Sequence, residues 1–370
     1  MAKILGPFDL PPQFYSPALA NFSSSDVQSA FYVAGGGRYS AQPSTDIAIV
    51  DVRFASASLK PLIRKGYEEN REIGVLCCSP FEVYVFTGSY PSNLSENYKA
   101  HITYAPVMGQ GFGDEVEIEL PEQLINGSAF GSATYNIKTR QIYFSALMNN
   151  NLAVGTTYFV IDAESKRFVK TFESPNGRGE RGVRPVVSQD GMAYFANDVD
   201  SKVFRYDGVS AQFVEPIEWA GSGSPGGLAV DDAAGELHVA LVSNIDDVIC
   251  TTINTFDMVS KAKRRELPPF KGMCVELSID EEGRLLFCLC QNPRGSDPLG
   301  VTVVDLEEGE VLGTHVLSVE KYLPGLSAMR WNKTQNCLMT TFATEENQPG
   351  YFVIHSPAEF WPPTHNGHGQ

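Results

Sequence analysis

Residues Met273 to Cys290 read Met-Cys-Val-Glu-Leu-Ser-Ile-Asp-Glu-Glu-Gly-Arg-Leu-Leu-Phe-Cys-Leu-Cys. Two short apolar runs flank Asp280-Glu281-Glu282-Gly283, a turn cluster of the kind that joins the strands of a hairpin. The second run, Leu285 to Cys290, has no polar face, as expected of a strand covered on both sides. Variants of this unit recur along the chain, and the recurrence decides the fold.

The recurring partner of the hairpin is a strand that ends on an aspartate. Ile47 to Asp51, Thr157 to Asp162, Val203 to Asp207, Ile253 to Asp257 and Val301 to Asp305 all fit it. From Asp162 onward the steps are 45, 50 and 48 residues. The longer gap before Asp162 leaves room for a degenerate copy at His101 to Ala105, and one more step lands on Tyr351 to His355. Hairpin turns near Ser25, Pro80, Thr139, Gly191, Gly235, Gly283 and Gln335 give an independent tally of seven. A period near 50 residues with several short strands in each predicts an all-β chain, a seven-bladed β-propeller. The last unit lacks an outer strand, and Lys3 to Asp9 lies before the first full unit without a partner. The N-terminal strand is therefore expected to complete the last blade and close the ring, which removes exposed sheet edges. Residues 1–360 are expected to form one domain, followed by a polar tail at 361–370. A single helical turn fits only Pro121 to Asn126.

Composition narrows the function classes. The chain has 370 residues, of which 43% are hydrophobic, enough for a large core. Its net charge of −16 disfavours a polyanionic partner, so no nucleic acid is expected. The one basic run, Lys261 to Arg265, reads as a solvated face. No apolar stretch approaches the ~18 residues that span a bilayer, so no membrane partner is expected. The seven cysteines fall mostly in strand-like runs. With no apolar leader at the start, they read as reduced thiols of a cytoplasmic protein.

Asp190 to Asp198 followed by Lys202 to Gly208, and then Ser224 to Asp232, resemble blades of the gluconolactonase and strictosidine synthase (SMP-30-like) and NHL propellers. The resemblance covers about two blades, and the rest of the chain only in rhythm. It implies a propeller with a site at its central channel. The metal-dependent lactonases of that group carry an asparagine ligand where this chain has Gly226, and no Glu-Gly-Pro start supplies their glutamate. They also have six blades rather than seven. No metal and no cofactor are therefore expected. The six histidines form no helical metal pair, and no Gly-x-Ser-x-Gly elbow is present.

Aligning the hairpins on their turns puts Arg184, Leu228 and Glu276 at one position of successive blades. A charge inside an apolar inner strand is costly unless paired or wet, and a propeller's central channel is wet. Arg184 and Glu276 are thus the candidate catalytic residues, as a substrate-orienting acid and base; a structural salt bridge is the competing reading. Arg330 sits one residue along in its strand, expected to face differently and to stack on Trp331 or a neighbour. The loop Asn176 to Arg184 brings Arg178 and Arg181 among glycines, a composition suited to a carboxylate or phosphate. Asn149, Asn197, Asn244 and Asn292 end second strands and feed one rim, where amides bind polar ligands or satisfy tight turns. Two functions follow: a metal-independent enzyme (lyase, cyclase, isomerase or hydrolase) acting on a small organic molecule at the channel, or a non-enzymatic propeller platform for a protein partner.

Overall fold

A computed structural model describes residues 3–9, 21–25, 30–34, 46–51, 56–61, 71–89, 99–108, 111–120, 128–150, 153–173, 183–196, 201–221, 223–291, 299–317, 319, 322, 328–344 and 349–355. The described residues are all-β, with no helix among them. Their strands group into seven antiparallel sheets. In chain order the innermost strands are Asn21–Ser25, Arg71–Cys78, Ser128–Asn136, Val186–Val187, Ser224–Asp231, Met273–Asp280 and Ala328–Asn332. Each is followed by partners that step outward in sequence order, the up-and-down meander of a propeller blade. In the last sheet the outermost position is taken by Lys3–Asp9, which pairs antiparallel with Pro349–His355.

The innermost strands lie side by side around a common axis, and Asn21–Ser25 touches both Arg71–Cys78 and Ala328–Asn332. The core sits between the sheets rather than inside any one of them. Tyr84, Phe86 and Ile102 of the second sheet pack on Ile142, Phe144 and Phe159 of the third. Tyr143 and Tyr158 of the third pack on Phe195 and Tyr206 of the fourth. Leu286 and Cys288 of the sixth meet Ala240 and Ile253 of the fifth, while Phe287 and Leu289 face Met329 and Leu338 of the last. This two-sided burial is why Leu285–Gln291 has no polar face: all seven of its residues are buried.

The aspartate that marks the repeat has a local cause. Asp257 Oδ1 accepts from the backbone N–H groups of Val259 (3.0 Å) and Ser260 (2.6 Å). Asp162, Asp207 and Asp305 build the same side-chain turn between third and fourth strands. The basic run Lys261 to Arg265 leads from a turn into the fourth strand of its sheet, Lys263–Glu266; Arg264 pairs with Glu236 and Asp257, and Lys261 with Glu215. It is an exposed, acid-matched edge. All seven cysteines are free thiols; Cys78 and Cys250 are half-buried and the other five buried. No helix among the described residues is long and apolar enough to cross a membrane. The expected turn at Pro121 to Asn126 and the tail at 361–370 lie outside the described residues.

Candidate functional site

The inner strands carry a second repeat. The register of first against second strand slips between Ile73 and Val75, Phe130 and Ser132, Pro225 and Gly227, and Cys274 and Glu276. The extra residue of each bulge is Gly74, Gly131, Gly226 and Val275. A Cβ at Gly226 would lie 2.0 Å from the Cys274 carbonyl oxygen, and one at Gly227 would lie 2.8 Å from the Leu277 nitrogen. The glycines thus allow two inner strands to approach closely. That accounts for Gly226 structurally at the position where the resemblance has a metal-binding asparagine.

The register also revises the alignment of candidate residues. Counting back from the closing pairs Asp231–Glu236 and Asp280–Leu285, Glu276 matches Gly227 and not Leu228. The offset arises because the glycine sits one place differently in the two turns. With a glycine in the fifth sheet, no side chain there stands between Arg184 of the fourth and Glu276 of the sixth.

The two residues meet. Arg184 Nε lies 2.9 Å from Glu276 Oε1, although its N–H is not aimed at that oxygen and has no hydrogen-bond partner. Arg330 reaches the same Oε1 through Nη1, which also donates to the Met329 carbonyl at 2.7 Å. The other oxygen of Glu276 accepts from the Met329 N–H at 2.7 Å. The expectation for Arg330 is therefore corrected: it turns to the carboxylate, and the Trp331 ring instead packs 5.6 Å from that of Phe287. A guanidinium on a four-atom stem reaches across strands where strand alternation alone predicts divergence. Glu276 is only 7% exposed, so one buried carboxylate ties together three inner strands or their extensions.

Arg184 and Arg330 border a central cavity of about 320 Å3. It is lined from six of the inner segments, with Cys77, Thr134, Arg184, Leu228, Ser278 and Arg330 each supplied by a different one. Among the described lining residues, Arg184 and Arg330 are the charged ones. Burial, and then the charge of Arg330, push the Arg184 guanidinium down to about 10, against the pull of Glu276. The Cys77 thiol is pushed up, chiefly by burial, while the two arginines oppose that. A poorly ionised thiol is a poor nucleophile, so Cys77 reads as a wall residue.

Arg178, Arg181, Asn197 and Asn292 lie outside the described residues. Asn149 is placed by its backbone, paired with Val154, and its side chain is not described. Asn244 is exposed, pairs with Ile249 just before the turn at Asp246 and Asp247, and does not line the cavity.

A second cluster escaped the sequence reading. Asp231, Glu236 and His238 bring their ligand-type atoms within 4.8 Å of one another, all three buried. The available signal was Glu236-x-His238 on one strand face with Asp231 directly across the hairpin from Glu236. His238 Nδ1 is 3.0 Å from Thr255 Oγ1, and burial lowers the imidazole to about 4. Arg284 pairs with Asp231, and Arg264 Nη1 lies 3.0 Å from Glu236 Oε1. The guanidiniums already balance both carboxylates, so the cluster is an ion-pair network tying the fifth sheet to its neighbour.

No protein-family model matches the chain, and no curated protein matches it. Among solved structures it is similar to Kuenenia stuttgartiensis hydrazine synthase, at 14% identity and a TM-score of 0.60, over 91% of this chain and 95% of that one. At that identity the likeness concerns the fold alone, and together with the sheet arrangement it makes the chain a β-propeller.

Proposed function

We propose that the chain is a metal-independent enzyme acting on a small organic molecule held in the channel, as a lyase, cyclase, isomerase or hydrolase. The observation that carries this reading is the Arg184–Glu276–Arg330 group at the wall of a cavity of about 320 Å3, near the lower end of small-molecule sites. Both oxygens of Glu276 are engaged by protein donors, so in this reading Glu276 is a positioning residue. The arginines are the groups that meet substrate and stabilise negative charge developing on it. We place the chain nearest the SMP-30-like and NHL propellers, as a seven-bladed ring completed by the N-terminal strand, acting in the cytoplasm. The sheet grouping and the pairing of Lys3–Asp9 with Pro349–His355 support that architecture. The test is untargeted mass spectrometry of a metabolite extract incubated with the protein or with its Arg184→Met/Arg330→Met variant. A compound consumed by the parent and spared by the folded variant supports the enzyme; an unchanged extract overturns it.

A protein-binding platform is the second reading. Phe81 and Ile137, in turns joining first to second strands, and Val209 and Val259, in turns joining third to fourth, are 64–87% exposed. In an up-and-down sheet these turns share one end, so the four apolar tips decorate one rim. A protein partner lost on replacing these tips by serine, with no compound consumed, would favour this reading.

A further inference from the structure

We infer that Cys274 and Cys290 are a redox pair, which two-electron oxidation joins in a disulfide across the first two strands of the sixth sheet. The two residues are direct partners in the antiparallel register of Met273–Asp280 with Leu285–Gln291. The N–H of Cys274 turns away from Cys290 and donates to Thr251 Oγ1 of the fifth sheet at 2.9 Å. The two cysteines are therefore a non-hydrogen-bonded pair, the kind whose Cα atoms stand about 4.5 Å apart with the side chains close together. A disulfide spans Cα separations of about 4.4–6.8 Å. The thiols are already in contact, since Cys274 hydrogen-bonds the side chains of both Cys288 and Cys290.

The register selects one of these two partners. Cys288 lies opposite Leu277, beyond the bulge, and reaches Cys274 only on a diagonal. Cys288 and Cys290 stand two places apart on one face of their strand, about 6.7 Å along it, whereas the Cβ atoms of a bridge are about 3.5–4.5 Å apart. The bridge sits beside the bulge that carries Glu276, where the Cys274 thiol donates to the Glu276 carbonyl at 3.3 Å, and oxidation removes that donor. All three thiols are at most 5% exposed, so exchange takes place while the chain is open, during folding or a transient opening. One protein thiolate attacks a sulfur of glutathione disulfide and releases a glutathione thiolate. The other then attacks the protein-side sulfur of the mixed disulfide and expels the second glutathione. Two protons pass from the protein thiols to the two glutathiones, and two electrons reduce the glutathione disulfide.

The test refolds the reduced, unfolded full chain in glutathione buffers of rising oxidised-to-reduced ratio and blocks the remaining thiols with iodoacetamide. Native protein held near its melting temperature in the same buffers gives the same readout without refolding. Trypsin cleaves after Lys271, Arg284 and Arg294, so the bridge should link the peptide 272–284 to the peptide 285–294. The linked peptide should persist in Cys288→Ser and vanish in Cys274→Ser and in Cys290→Ser. The oxidised protein should melt about 4 °C above the reduced form, the scale of a short closed loop in a chain of this length, and lose that gain in dithiothreitol. A link that survives Cys290→Ser but not Cys288→Ser overturns the assigned pair. Folded protein that keeps all its thiols at the most oxidising ratio, or an oxidised form that melts below the reduced one, overturns the inference.

Discussion

Glu276→Ala removes one carboxylate from between two arginines and a backbone N–H, and its cost can be worked from the contacts. Glu276 Oε1 faces Arg184 at 2.9 Å and pairs with Arg330, while Oε2 accepts from the Met329 N–H at 2.7 Å. Breaking a buried ion pair by removing one partner costs about 3–5 kcal/mol. The side chains of Arg184 and Arg330 keep 22% and 15% exposure toward the cavity, so hydration recovers part of that cost. The lower end, about 3 kcal/mol, is expected. With an unfolding entropy of about 2 cal/mol/K per residue over 370 residues, the melting temperature should fall by roughly 4 °C. Glu276→Gln keeps an acceptor for Met329 and should lose only about 1–2 kcal/mol. Urea unfolding of the parent, both variants, Arg330→Met and the double variant closes a cycle. Arg330→Met should cost less in the Glu276→Ala background, with a coupling of about 1–3 kcal/mol. A Glu276→Ala variant within ~0.5 kcal/mol of the parent, or strict additivity with Arg330→Met, would refute the shared-carboxylate arrangement.

Gly226→Ala places a Cβ 2.0 Å from the Cys274 carbonyl oxygen, so the two strands must part. A loss of about 3 kcal/mol or more is expected in urea, and an alanine tolerated without loss contradicts the close approach. His238 is fully buried, with its folded-state pKa lowered from 6.5 to about 4. The unfolded chain then binds the extra proton first, so stability holds above pH 6.5 and falls on acidification from there toward about 4, by roughly 3 kcal/mol in all. His238→Gln should flatten that part of the stability profile, and an unchanged slope would count against a neutral buried imidazole. Burial raises the thiols of Cys77, Cys274 and Cys288, and a hydrogen bond with Cys274, together with burial, raises that of Cys290. In the native protein at pH 8 these four should react with a thiol reagent only after denaturant is added. Fast native labelling of any of them, read by peptide mapping, would show that the walls between the sheets open.

Much of the fold is legible in the sequence because its signals are local. The aspartate that ends the third strand of four successive sheets, the last excepted, caps its own turn through Oδ1, at Asp162, Asp207, Asp257 and Asp305, and so recurs at a nearly fixed step. The all-apolar run Leu285 to Cys290 announces two-sided burial without reference to any distant residue. Arg184 and Glu276 stand out because charge inside an inner strand has few places to go. What is not local is harder to read. Arg330 joins the group by side-chain reach, which strand alternation does not encode. The glycine bulges shift the register by one residue, and counting from the turns placed Leu228 where Gly227 belongs. The Asp231–Glu236–His238 cluster needs the hairpin register, one arginine from another strand and one from a turn of the next sheet before it can be seen. Asn244, next to the end of its strand beside a tight turn, is exposed and does not line the cavity.

The account turns on charges from separate sheets gathering around one axis, and crystallographic density for the central channel tests that most directly. It should show Glu276 clasped between Arg184 and Arg330, with Oε2 on the Met329 N–H and the two guanidiniums bordering an open cavity. Density with either arginine turned to the outer surface, or with the channel filled by packed side chains, would contradict it.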